Sequence, residues 1–194
     1  MDTGVRGLVP RVAVLARHRD VMGARVRLVP LGENHLDATF HWVNDPEMMR
    51  LLGRTAPVEP DEHRRWFLQL ARRTDCSYFA VETIDSGRHV GNVWLWDLNA
   101  ADRKSEVRVL FGDEASRGLG YGSEAITLLA ILAFTTLNLH RLYAYVFARN
   151  LRAKRAFEKA GFTVEGLLRQ ERQLGTEFID VYLLARLASD VNRP

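Results

Sequence analysis

Three glycines at alternate positions, Gly118, Gly120 and Gly122, follow a short apolar run, Val107–Phe111, and precede a long one that starts at Ala125. The first run reads as a buried strand and the second as a helix, so the glycines fill a strand-to-helix turn. That arrangement is an anion site. The first backbone N–H groups of a helix have no acceptor inside it and together carry about half a positive charge. Glycine lacks the Cβ that would hold a phosphate away from those amides. Arg117 at the mouth adds a permanently charged fork of donors. The expected chemistry is capture of a phosphate group by Arg117, Gly118, Leu119, Gly120, Tyr121, Gly122 and Ser123.

Two common phosphate-binding patterns do not fit. The dinucleotide fingerprint needs G-x-G-x-x-G with an acid about 20 residues on. Here the spacing is G-x-G-x-G, and positions 138–143 read N-L-H-R-L-Y without an acid. The nucleoside-triphosphate loop G-x-x-x-x-G-K-[ST] is absent. What fits is R-x-x-G-x-G on Arg117, Gly120 and Gly122. A ligand-free glycine turn would give the same short pattern, but a second pattern follows. Asn150, Ala153, Phe157, Gly161 and Phe162 spell N-x-x-A-x-x-x-[aromatic]-x-x-x-G-F, with Asn150 thirty residues after Gly120. Together the two motifs resemble the acetyl-CoA site of the GNAT superfamily of N-acetyltransferases. The resemblance spans about Ala24 to Leu187. It is strongest to the Rim-type ribosomal-protein, spermidine and nucleotide-aminosugar branch.

This resemblance implies a set of site residues. The turn holds the diphosphate of acetyl-CoA, and Val109, Leu110 and Phe111 line the pantetheine arm on a strand that splays from its neighbour. The N–H of Leu110 or Phe111 then faces the thioester oxygen, where loss of one preorganised donor typically costs about 3 kcal/mol. Asn150, Ala153, Arg155 and Phe157 flank the cofactor from the second motif helix. Asn150 is equally well placed as a plain helix cap. Arg149, Arg152, Lys154 and Arg155 form either a solvated helix face or a contact to the 3′-phosphate.

The acceptor is expected to be an amine, and it must lose a proton before it attacks. At neutral pH this costs about 4–5 kcal/mol for a lysine-like amine and about 1 kcal/mol for an α-amine. A carboxylate can take that proton, and Glu106, at the entry of the cofactor strand, is the candidate. Its alternative is a structural ion pair with Arg108 or Arg103. Many GNAT enzymes supply a proton to the leaving thiolate from a tyrosine at the position of Phe157. Phe157 has no hydroxyl, so the general acid stays unassigned. Substrate contacts are expected from His41, Trp42, Asn44 and Asp45, since W-x-N-D-P-E is similar to a segment of aminosugar acetyltransferases. A helix corner set by Asp45 and Pro46 is the alternative. Trp94 and Trp96 share one strand face, more in keeping with packing than with substrate stacking.

Composition narrows the rest. The chain has 194 residues, formal net charge +3 and 47% hydrophobic residues, which suits one globular domain. The charge is too mild and unclustered to argue nucleic-acid binding. Cys76 stands alone, which rules out an internal disulfide and points to a reducing compartment; it reads as a buried thiol. The apolar stretch Ala125–Leu139 is too short and too polar to cross a bilayer, and no signal-peptide core is found. The six histidines are scattered, so no metal site is expected. The reading is a cytoplasmic acetyl-CoA-dependent enzyme acting on a small-molecule amine, of aminosugar or polyamine type, without membrane or nucleic-acid partners. An Nα-acetyltransferase of protein termini and a non-catalytic acyl-CoA sensor are the rivals. A homodimer is expected from the resemblance alone.

Periodicity supplies the supporting elements. Residues 1–23 are expected to be a disordered leader and residues 24–190 one domain. Arg25–Leu31 reads as a strand and Glu33–Val43 as a helix. Asp45-Pro46-Glu47 restarts a helix as N-cap, first position and first turn, and Asp61–Arg73 is a third helical stretch. Three strands follow, Ser77–Ile84, His89–Leu98 and Lys104–Phe111. Gly120–Leu137 is a helix, apolar nearly all round and therefore central. His140–Ala148 is a strand, Asn150–Ala160 a helix, and Phe162–Leu174 with Glu177–Leu187 a hairpin. The order β-α-α-β-β-β-α-β-α-β-β gives an α/β fold with a mixed, mostly antiparallel sheet of about seven strands and four helices, as the GNAT fold implies.

Overall fold

A computed structural model describes residues 20–192. One eight-stranded sheet organises them: β1 Val21–Met22, β2 Val26–Pro30, β3 Ser77–Thr83, β4 His89–Asn99, β5 Lys104–Leu110, β6 Arg141–Phe147, β7 Thr163–Leu174 and β8 Glu177–Leu187. The spatial order is β1-β2-β3-β4-β5-β6-β8-β7. Every neighbouring pair is antiparallel except β5 and β6. Five helices pack on it: α1 Leu36–Asn44, α2 Pro46–Leu52, α3 Pro60–Leu70, α4 Tyr121–Thr135 and α5 Leu151–Lys159.

The mixed, mostly antiparallel α/β architecture is the expected one, with two differences in count. The eighth strand is Val21–Met22, which pairs with Leu28 and Arg27. It lies at the end of the segment expected as a leader; residues 1–19 of that segment are outside the described residues. The fifth helix is α2, whose restart at Asp45-Pro46-Glu47 is expected from the sequence but is not counted among the four helices. Asp45 sits at φ −65, ψ 132, since a residue before proline avoids the helical region. Its side chain accepts the Met48 N–H at 2.9 Å and starts α2.

Alternation along the strands divides the sheet into two working faces. Val93, Leu95 and Val107 join Ala125, Ile126, Leu129 and Ala133 of α4 in the main core, and α5 adds Phe157. The expectation of a central α4 holds, although Ile131 remains 44% exposed. Asn92, Trp94, Trp96 and Arg108 point the other way, toward α1 and α3. Between the two faces, β5 is the strand that meets the site.

Candidate active site

β5 and β6 pair only at Lys104↔Arg141, Ser105↔Leu142 and Glu106↔Tyr143. Beyond Glu106 the two parallel strands part, while β5 stays paired to β4 as far as Leu110. The backbone of Val107–Leu110 therefore has no strand partner on its β6 side. Leu110 is 3% exposed, and the Phe111 ring lies against Gly91 and Gly122.

The glycine turn closes the upper end of this opening. Gly118 and Gly120 have φ of +79 and +81, a conformation costly for any residue with a Cβ. The helix ladder begins with Glu124 N–H to Gly120 O at 3.1 Å. Among the described residues no turn bond takes up the backbone N–H groups of Gly118 to Ser123, and none of residues 117–123 is buried. The turn is thus an open cluster of unpartnered amides. Arg25 braces it: its guanidinium donates to Leu119 O at 2.6 Å and to Glu124 Oε2 at 2.8 Å. Burial pushes the Glu124 carboxyl up, but the Arg25 backbone N–H and guanidinium more than offset this and hold it below the usual carboxylate range.

Arg117 is less free than its place in the motif implied. One guanidinium nitrogen bonds Glu47 at 2.9 Å and the other pairs with Glu114 at 2.8 Å. Glu47, on α2, also accepts from Arg152 of α5 at 3.2 Å. A single carboxylate therefore links the glycine turn to the second motif helix across the opening between β5 and β6. On α5, Asn150 Oδ1 accepts the Ala153 N–H at 3.0 Å, so the cap reading is realised. Arg149 pairs with Glu177, and Lys154 with Glu158. Arg155 is exposed and has no ion-pair partner among the described residues. Phe157 is 2% exposed and packs edge-on against Phe162 in the core.

On the opposite face a cavity of about 330 Å³ reaches β5 at Leu110 and Arg108. Its wall is aromatic. His63 stacks on Trp66 at 5.1 Å, Trp66 meets the Tyr78 edge at 5.6 Å, and Tyr78 stacks on Trp94 at 5.0 Å. Burial pulls the His63 pKa down and keeps its ring neutral; burial also raises Tyr78. His63 Nε2 and Trp94 Nε1 are both buried without a hydrogen-bond partner. Glu106, 8% exposed, receives two guanidinium bonds from Arg108, each 2.8 Å. Each carboxylate oxygen keeps a further lone pair after those bonds.

Trp42, His41, Asn44 and Asp45 lie on the α1–α2 corner, and their neighbours Thr39 and Val43 are the ones that line the cavity. Trp42 packs so closely on Gly112 that a Cβ there would stand 2.1 Å from the indole. Asn44 clasps Val58 through both backbone groups, at 2.7 and 3.1 Å. His41 is exposed and its Nδ1–H donates to Asp37 O at 2.7 Å. Among the described residues, no cluster of three or more His, Cys, Asp or Glu side chains could hold a metal ion, and no helix is long and apolar enough to cross a membrane.

A splayed β5/β6 pair, an open glycine turn and a flanking helix are what the two motifs called for, and comparison with known families agrees. Residues 25–163 match the Acetyltransferase (GNAT) domain. The chain belongs to the GNAT acetyltransferase family. Among relatives of this GNAT chain, a probable N-acetyltransferase YjcK of Bacillus subtilis (strain 168) is 34% identical over 58% of the chain and 62% of its own length. The spermidine N(1)-acetyltransferase of Escherichia coli (strain K12) is 36% identical over 48% of each chain. The match thus spans about half to three-fifths of these relatives. The crystal structure of spermidine N-acetyltransferase from Vibrio cholerae in complex with CoA and spermine superposes with a TM-score of 0.79. It shares 25% identity and covers 88% of this GNAT chain and all of the other.

Sequence reasoning missed Arg25, His63, Trp66 and Tyr78 as members of the site, because they stand on the turn before β2, on α3 and on β3 and are brought to it only by tertiary packing. Glu47 is visible in the W-x-N-D-P-E segment, and Arg108 is one of the two ion-pair partners expected for Glu106.

Proposed function

We propose that this protein transfers an acetyl group from acetyl-CoA to a primary amine of a small molecule by direct attack. One observation carries the reading: the stretch of β5 that has no β6 partner leads to the unpartnered amides of Gly118–Ser123 and, at Arg108 and Leu110, borders a cavity of about 330 Å³. The residues fit a diphosphate, because the turn offers several N–H donors at a helix N-terminus with Arg25 and Arg117 beside it. Acetyl-CoA supplies the thioester. The backbone N–H of Leu110 or Phe111 is the donor for the charge that develops on its oxygen. Asn150 and Arg155 contact the rest of the cofactor, and Arg155 has no ion-pair partner among the described residues.

Glu106 accepts the amine proton, directly or through a water. Phe157 supplies no acid, so the thiolate, whose conjugate thiol has a pKa of about 8.5, leaves unprotonated or takes a proton from water. A cavity of about 330 Å³ is the size of a small-ligand site. It favours a small amine, of which aminosugars and polyamines are examples, over a protein N-terminus. His41, Trp42, Asn44 and Asp45 then act by fixing the α1–α2 corner that forms one wall.

The test is release of free thiol from acetyl-CoA in the presence of a panel of amines. Amine-dependent release is expected. Tight acetyl-CoA binding with no release for any amine or peptide would make the protein an acyl-CoA sensor.

A further inference from the structure

We infer that Arg25 is the positioning residue of the glycine turn: by holding the Leu119 carbonyl on its own side, it aims the Gly120 N–H the opposite way, at the cofactor. This rests on the acetyl-CoA reading of the turn, but the lock itself is argued from the turn's own bonds.

The turn needs a lock because of what opens it. Leu119 stands between two glycines at positive φ, Gly118 at +79 and Gly120 at +81. Glycine takes φ of either sign at little cost, so the peptides on both sides of Leu119 are free to turn over. The Leu119–Gly120 peptide is trans, and its C=O and N–H therefore point in opposite directions. Turned over, it presents a carbonyl oxygen in place of a donor, and that oxygen repels a phosphate. The helix does not prevent this. Its ladder begins with Glu124 N–H to Gly120 O, one peptide further along the chain.

Arg25 supplies the restraint from a fixed base. Its backbone N–H donates to Glu124 Oε1 at 2.7 Å, and its carbonyl accepts the Ile84 N–H at 2.9 Å. Gly23 allows this close approach, since a Cβ there would stand 2.6 Å from Glu124 Oε1. Within the guanidinium, Nε donates to Glu124 Oε2 at 2.8 Å and Nη1 to the Leu119 carbonyl at 2.6 Å. No other bond to that carbonyl is found among the described residues. The planar fork holds both acceptors at once, which an ammonium on a flexible stem does not do.

The experiment compares the full chain with Arg25→Lys, which keeps the charge but loses the fork, and Arg25→Met, which loses both. The Arg25 side chain is 53% exposed, so both variants are expected to keep the core signals of Leu129 and Ala133 in nitrogen–proton spectra. Calorimetry is expected to show acetyl-CoA bound about tenfold more weakly by each variant. That ratio is expected to persist from about 0.1 to about 1 M salt, over which the screening length falls from about 10 to about 3 Å. Full affinity in Arg25→Lys, or a ratio that collapses with salt, would show that Arg25 acts by charge alone and overturns the inference. The free protein gives an independent readout. In Arg25→Lys the Gly120 amide signal is expected to broaden or double as the peptide turns over; a signal as sharp and single as in the unaltered protein overturns the lock. If no form binds acetyl-CoA, a broadened or doubled Gly120 signal sustains the lock while the cofactor reading fails, and a sharp one overturns both.

Discussion

Glu106 is both a buried ion-pair member and the proposed proton acceptor, and the two roles respond differently to substitution. Glu106→Gln keeps the size of the side chain but loses the basic oxygen. A positioned base typically contributes about 100-fold or more to rate, so kcat is expected to fall by at least that factor. The acetyl-CoA dissociation constant is expected to hold, because the glycine turn is untouched. Steady-state kinetics with an equilibrium binding assay checks both; unchanged turnover would remove Glu106 from the mechanism. Burial keeps the pKa of His63 and of His89 below the ordinary value. The unfolded chain therefore binds protons that the fold refuses, and stability falls as pH drops below about 6.5. Glu82 is pushed up by burial but brought below its usual range by bonds from His35 and Arg27. Its stabilisation is complete above about pH 4.5 and is lost as pH falls through the lower folded value. Urea midpoints are expected to be lower at about pH 5.5 than at about pH 7.5; equal midpoints would contradict the neutral assignment of both rings.

At the level of elements, α2 has a function that its seven residues do not announce. It is short, it starts at Asp45, and it presents Glu47 to Arg117 on one side of the β5/β6 opening and to Arg152 on the other. A diphosphate arriving at the turn competes with that carboxylate for the same guanidiniums. Glu47→Gln is therefore expected to tighten acetyl-CoA binding several-fold, measured by calorimetry. Weaker binding would mean that Glu47 orients the two arginines for the ligand instead of screening them. The break before α2 was legible in the sequence, because Asp45 and Pro46 act through local backbone rules. The bridge was not, because Glu47 and Arg152 are brought together only by tertiary packing. The same division holds for the aromatic wall. Trp94 and Trp96 were visible as a same-face pair, but their neighbours follow from the cross-strand register Tyr78↔Trp94, Trp94↔Arg108 and Trp96↔Glu106. Periodicity says which face a residue takes and is silent about which strand lies beside it.

Across the whole molecule, a single strand joins two half-sites. The α4 side of the sheet is a continuous apolar core, and this fixes where β5 lies. The other side holds the cavity. β5 loses its β6 partner after Glu106, just where the two regions meet. Motif spacing conveyed this arrangement because the glycine turn and the Asn150 helix are local structures with strict residue requirements. The wall of the cavity obeys no comparable local rule. The most direct measurement is a nitrogen–proton correlation spectrum of the protein titrated with acetyl-CoA. The account requires saturable shifts of the backbone amides of Gly118, Gly120, Gly122 and Ser123, together with Leu110 or Phe111. A well-dispersed spectrum in which those amides stay still at saturating acetyl-CoA, or in which the shifts gather elsewhere, would contradict it.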